Sequence, residues 1–334
     1  MRFVVVGEAL VDVVPDGVGL DDAGPDDAGP DDGEPRGTRD LPGGSPANVA
    51  VTLGRLGHRP VLVTSLADDA RGALVRGWLE ASGVHVRSVA PVSGRTSSAA
   101  VMFAPDGSAS YEFDLDWDLP AALLAEAVQG ADVVHAGSIA TVLDPGADAV
   151  EAALTGARGR ALVSFDPNAR PAITPDVAAV RERVERLVAV SDVVKVSDED
   201  LGWYYPDADP VDAARAWAAR GPALVVVTLG ADGSVLVRGD DVVRVAGVKV
   251  AVADTIGAGD TAMGALLDIL ARLGACGAQA RAVLGSLTLD QLAEVGGWAA
   301  HAAAVTVSRP GADPPTRTEL DAAVARVSPL RAQG

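Results

Sequence analysis

The residues best suited to chemistry lie together in VAVADTIGAGDTAMGALLDIL, residues 250–270. A strand-like VAVAD runs into Gly257-Ala258-Gly259-Asp260, and an apolar helix is expected to start at about Thr261. The small residues let the backbone turn tightly, and the first amides of a helix have no partner within it, so they face outward as donors to an anion. The helix dipole adds a favourable potential for a phosphoryl group in transfer. Asp260 stands where its carboxylate could accept a proton from an attacking alcohol. It also fits as an acid in the first turn of a helix, and the local pattern leaves both readings open.

The elements that must position this loop follow from hydrophobic patterning. FVVVGEALVDVV at the start is apolar and β-branched and ends in turn residues from Pro15 onward. Between Asp16 and Asp40 lies a tandem acidic repeat, DDAGPDDAGPDD, which cannot bury enough apolar surface to offset the entropy of ordering it, and a mobile acidic insertion is expected there. LPGGSPANVAVTLGRLG then places two glycines before an apolar helix closed by Gly57. The stretch from Val86 to Trp117 reads as two or three strands with a turn at Pro105-Asp106-Gly107, a hairpin able to cover the main body. From Ala121 onward ADVVHAG, RALVSFDPN, SDVVKVS and ALVVVTLG read as buried strands separated by helical spacing. That alternation predicts an α/β fold: a parallel sheet with helices on both faces and ligands at the carboxyl ends of the strands.

Composition narrows the function. At 334 residues, with 49% hydrophobic residues and a mean hydropathy of +0.23, the chain is long and apolar enough for a sizeable core. A net charge of -19 argues against a nucleic-acid partner, which would call for clustered Lys and Arg. A single cysteine, Cys276, permits no internal disulfide and no Cys-rich zinc site, and the four histidines have no metal-ligand spacing. No apolar run reaches the length of a membrane span, and Glu8 and Asp12 interrupt the opening run where a signal peptide is apolar, so no membrane partner and a cytoplasmic location are expected.

The chain resembles the carbohydrate and nucleoside kinases of the PfkB, or ribokinase-like, family, whose C-terminal motif has the form Asp-Thr-x-Gly-Ala-Gly-Asp. The resemblance runs through GEALVD at 7–12, Gly43-Gly44 with Asn48-Val49-Ala50, FDPNAR at 165–170, VKVSDEDL at 194–201, VVVTLGADG at 225–233 and SRPGA at 308–312. It implies one Rossmann-like, ribokinase-like domain over 1–334, with a small β lid from about 11–45 and 86–117. It further implies ATP-dependent phosphorylation of a sugar hydroxyl. Asp260 is then the general base, and the amides of Gly257, Ala258 and Gly259 form the anion hole for the γ-phosphoryl. Asp12, Gly43, Gly44, Asn48, Asn168 and Arg170 match sugar-facing positions, and Arg95 beside the lid is expected to reach the substrate. Thr228, Gly230 and Gly233 fit the family's nucleotide loop.

Ser197 and Asp200 stand where the family has Asn-x-x-Glu, which organises phosphate and Mg²⁺. Both side chains here are shorter, and a helix cap with a first-turn acid is the competing reading. Asp254, Ile256, Thr306, Arg309 and Gly311 match positions that bind a monovalent cation, K⁺ by expectation, largely through carbonyls. Family members often form homodimers through the lid. Among subgroups the motifs look most like fructokinases, ahead of 2-keto-3-deoxygluconate kinases and ribokinases; a regulatory protein that binds sugar or nucleotide without turnover is the alternative from another class.

Overall fold

The computed structural model of the chain describes residues 1–15, 37–103 and 109–327. The strands are β1 (Phe3–Val6), β2 (Leu10–Pro15), β3 (Thr38–Gly43), β4 (Val61–Ser65), β5 (His85–Val89), β6 (Ser98–Phe103), β7 (Ala109–Asp114), β8 (Val133–Gly137), β9 (Leu162–Asp166), β10 (Val193–Ser197), β11 (Leu224–Thr228), β12 (Ser234–Arg238) and β13 (Asp241–Val245). The α-helices are α1 (Ser45–Arg55), α2 (Ala70–Ala81), α3 (Ala121–Ala127), α4 (Gly146–Ala157), α5 (Val177–Val190), α6 (Asp198–Tyr204), α7 (Pro210–Ala218), α8 (Ala258–Arg272), α9 (Ala280–Ser286), α10 (Leu289–Val307) and α11 (Arg317–Val327).

A nine-stranded sheet runs in the order β13-β12-β11-β10-β9-β8-β1-β4-β5. From β11 to β5 every neighbour is parallel, while β12 and β13 add an antiparallel edge that the expectation of a parallel sheet did not contain. One apolar core packs α1, α2 and α8–α11 on one face, through residues such as Val5, Leu162, Val193 and Leu266. A second packs α3–α7 on the other, through Val4, Val163, Val194 and Trp217. Successive residues of one strand thus enter opposite cores, which is why these strands read as continuous apolar runs. No single described helix is long and apolar enough to cross a membrane.

The second sheet has four strands in the order β3-β2-β6-β7. It begins after Gly7–Ala9, where the chain leaves β1, and its β2–β3 hairpin pairs Leu10 with Gly43 at one end and Pro15 with Thr38 at the other. Two boundaries differ from expectation. Thr38–Asp40, assigned to the acidic insertion, are strand residues here, because they hydrogen-bond into the ladder with β2; residues 16–36 of that insertion and the turn at 105–107 lie outside the described residues. The segment starting at Val86 does not join this sheet: β5 pairs parallel with β4 at the edge of the large one, and the small sheet resumes only at Ser98.

Two further features bear on the helix after the glycine loop. The strand-like VAVAD is not a strand, for β13 already ends the sheet and Val250 and Val252 are exposed at 40% and 64%. The helix itself starts at Ala258, earlier than Thr261. Its far end is fixed by Asp268, fully buried, whose carboxylate accepts from His58 Nε2 (2.7 Å), Trp298 Nε1 (3.0 Å) and the Arg317 guanidinium of α11.

Candidate active site

Two helix N-termini converge on Asp260. Gly257 precedes α8 with φ 71°, a left-handed conformation in which a side chain would be strained, and an added Cβ would fall 2.6 Å from that of Ala312. Asp260 is the third residue of the helix, and side chains on a helix lean toward its N-terminus, so the carboxylate sits by the amides of the first turn. Across from it, Ser45 Oγ donates to Asp260 Oδ1 at 2.6 Å and Asn48 Nδ2 donates to Oδ2 at 2.8 Å, both from the first turn of α1. The helices approach closely because α8 carries Gly264 where a Cβ would stand 2.6 Å from Thr52. Each carboxylate oxygen retains a second lone pair, so Asp260 is oriented and still able to accept a proton. Asn48 Oδ1, buried and without a partner, is a further acceptor at the same place.

The small sheet runs into α1 through Gly43 and Gly44. Gly43 lies beside Asp12 so tightly that a Cβ there would be 2.2 Å from Asp12 Oδ2, and Gly44, with φ 104°, leads directly into α1. Burial pushes the Asp12 carboxyl up to about 6, with the Arg170 guanidinium pulling the other way. Burial likewise pushes Glu8 up to about 7, opposed by hydrogen bonds from the backbone, from Ser138 and from the Ala140 amide, and by Arg170. The charge of Arg170 reaches both carboxylates, and its Nη1 donates to Asn168 Oδ1 and to the Ala169 carbonyl, both at 2.8 Å.

Ser197 caps α6, its Oγ accepting from the Asp200 amide at 3.0 Å. Asp200 Oδ1 accepts from the Ala169 amide at 3.1 Å, so this carboxylate holds the 168–170 loop in place, and burial raises its pKa. Beneath the loop, Lys195 Nζ and Asp166 Oδ2 form a buried ion pair at 3.0 Å. His135, on the next strand, is neutral: burial, followed by the charge of Lys195, drives it down to about 3.

On the other flank, Thr228 ends β11 and Gly230 and Gly233 have φ of 52° and 101°. The space beside Gly233 is filled by the chain itself, an added Cβ meeting Val245 O at 2.1 Å and Gly247 N at 2.4 Å. Asp254 draws two loops together, accepting from the Ile256 amide at 2.9 Å and the Gly311 amide at 2.6 Å. Thr306 Oγ1 donates to Thr261 Oγ1 at 2.9 Å, while the Arg309 guanidinium is engaged by Asp313 and Glu319.

The structure thus joins Asn48 to Asp260, Gly43 to Asp12, Arg170 to Asn168 and Asp200 to the 168–170 loop, with Gly44 opening α1 and 257–260 opening α8. Arg95 is not among them: Nε and Nη2 sit on the two oxygens of Asp114 at 3.0 and 3.2 Å, and the side chain is 64% exposed. Sequence reasoning missed Ser45, Glu8, Asp166 and Lys195. The available signal for Lys195 was a charged residue inside the otherwise apolar strand VVKVS.

The sequence model of the pfkB family carbohydrate kinases matches residues 2–319. The chain belongs to the PfkB family. This PfkB kinase is 33% identical over 259 residues to a fructokinase of Rhizobium leguminosarum bv. trifolii, covering 76% of this chain and 75% of the relative. Its fold superposes on a fructokinase of Xylella fastidiosa solved with bound ATP, with a TM-score of 0.82 at 25% identity over 97% of this chain and 98% of the other. A double mutant of the fructokinase of Vibrio cholerae O395, solved with fructose, ADP and potassium ion, gives a TM-score of 0.74 at 26% identity over 97% of both chains. As a PfkB carbohydrate kinase the chain is a sugar kinase, a phosphotransferase.

Proposed function

We propose that this kinase transfers the γ-phosphoryl group of ATP to fructose. The observation that carries the reading is the Asp260 carboxylate, fixed by Ser45 and Asn48 at the amide end of α8, where the Ala258 amide donates to the Thr255 carbonyl at 3.2 Å. The choice of fructose is supported by relatives named fructokinase at about 33% identity.

Asp12 and the unpartnered Asn48 Oδ1 accept hydrogen bonds from sugar hydroxyls and orient the sugar. The reacting hydroxyl oxygen forms a bond to the γ-phosphorus, its proton passes to Asp260, and the bond from that phosphorus to the bridging oxygen breaks to release ADP. The amides of Gly257 and Gly259 hold the charge that builds on the transferring oxygens, joined by the Ala258 amide once it leaves the Thr255 carbonyl. Thr228, Gly230 and Gly233 border the nucleotide. Asp200, a lone carboxylate with one oxygen already on Ala169, fits a Mg²⁺ carried by the phosphates and reached through water, which would neutralise phosphate charge. The loops joined by Asp254 are the place for a monovalent cation, and activity is expected to rise on titration with K⁺.

ADP release measured with Mg·ATP against fructose, ribose, 2-keto-3-deoxygluconate and adenosine tests the reading. Fastest turnover of fructose supports it. Preference for another acceptor moves the assignment within the family, and ligand binding without turnover of any would replace it by the regulatory alternative.

A further inference from the structure

We infer that Lys195 is a positioning residue for phosphoryl transfer: its ammonium, held by Asp166 against the turn at Gly259, is a fixed positive charge behind the anion hole. The inference rests on the kinase reading above and deepens it. Lys195 projects from β10 toward α8, on the face where β10 otherwise presents Val193 to the core, and its side chain is 5% exposed. A Cβ on Gly259 would stand 3.4 Å from Lys195 Nζ, which puts the ammonium in contact with the turn whose amides receive the phosphoryl. Asp166 is the last residue of β9, and its buried Oδ2 lies 3.0 Å from the ammonium as an ion pair, neither carboxylate oxygen being in a well-aligned hydrogen bond. Asp260 and Asp200 are the other carboxylates whose charge reaches it.

Two arguments separate this role from simple structural pairing. A buried ion pair is a poor source of stability, because two charges must leave water to form it, and apolar residues of similar volume often serve the fold as well or better. The choice of side chain is the second. Of 27 lysine and arginine residues only two are lysines, Lys195 and the exposed Lys249. A chain that uses arginine almost everywhere keeps a compact ammonium, rather than a planar fork, where the charge must fit beneath a tight glycine turn. Charge set in a dry, preorganised site stabilises a transition state more than the ground state, since it needs no reorganisation as the phosphoryl oxygens gain charge.

The test starts from the unmodified enzyme; if it turns over no sugar, the kinase reading fails and not this one. Lys195→Met is expected to lower kcat about 10²-fold, with the sugar KM within about threefold of the parent. The double variant Lys195→Met/Asp166→Leu removes both buried charges and is expected to regain the parent's thermal stability while kcat stays low. Recovery of kcat in the double variant would show the pair to be structural and overturn the inference. A second readout needs no variant. With ¹⁵N-lysine labelling, adding ADP, Mg²⁺, fluoroaluminate and sugar should shift the Lys195 ammonium resonance and leave that of Lys249 in place. An unmoved Lys195 signal would equally overturn it.

Discussion

Asp260 on the α1/α8 side is 7% exposed and both its oxygens accept hydrogen bonds from a second helix, whereas at the rim of the small sheet two carboxylates, Asp114 and Asp40, pair at the surface with Arg95 and with Arg71 of α2. The first wall is built from helix termini locked by close backbone approach, at Gly257 against Ala312 and at Gly264 against Thr52. The second is an open ladder whose outer side chains trade one partner for water at little cost. A group whose position determines rate belongs on the first kind of wall, because a small misplacement there is costly. Side chains that exchange a partner for water belong on the second.

Four substitutions probe that contrast, in falling order of effect. Asp260→Asn keeps the size of the side chain but removes the proton acceptor, and kcat should fall by ~10²–10⁴ with the fold intact; parental turnover would mean that another group takes the proton. Gly43→Ala, on the seam between the walls, must displace Asp12, and the sugar KM should rise about tenfold while the nucleotide KM stays near the parent's. A rise in both would place Gly43 in the general architecture instead.

Glu8 sits where the chain crosses from the large sheet to the small one, with a pKa raised from the ordinary 4.5 to about 7 by burial. Folding therefore favours its protonated form, and this contribution to stability is fully present below the ordinary value and lost as pH rises through about 7. Glu8→Gln carries no such loss, so in denaturant titrations its stability relative to the parent should improve between pH 5 and pH 8 by roughly 1–3 kcal/mol. A pH-independent difference would show that the Glu8 carboxyl is not perturbed. The smallest effect is expected for Arg95→Ala, which removes only an exposed pairing with Asp114 and should change the sugar KM by less than about twofold. A large rise would mean that Arg95 leaves Asp114 for the substrate.

Much of this is legible in the sequence. Strands that enter a core on both faces announce themselves as runs such as LVVVT and LVSFD, and Gly43-Gly44 before SPANVA marks a helix start by backbone chemistry alone. VAVAD misled because β-branched composition does not reveal whether a strand has a neighbour to pair with, and the edge was already taken by β13. The segment at Val86 misled for the converse reason: it does form a strand, but in the other sheet. Ser45 and Asp260 are 215 residues apart and Asp166 and Lys195 lie on separate strands, so their pairing depends on helix approach and on sheet order, neither of which is written locally. Arg95 followed the resemblance and met a nearer carboxylate in Asp114.

The register of the β2–β3 hairpin has one more consequence. Asp12 and Gly43 lie toward its root, where Leu10 faces Gly43, while Pro15 and Thr38 form the last pair at the opposite tip. Chain added or removed beyond Pro15 therefore joins the hairpin at the end opposite the pairing of Leu10 with Gly43. That tip is a natural grafting point, where a tag, a tether or a reporter sequence could be spliced into this kinase in place of residues 16–36 while the approach of Gly43 to Asp12 keeps its shape.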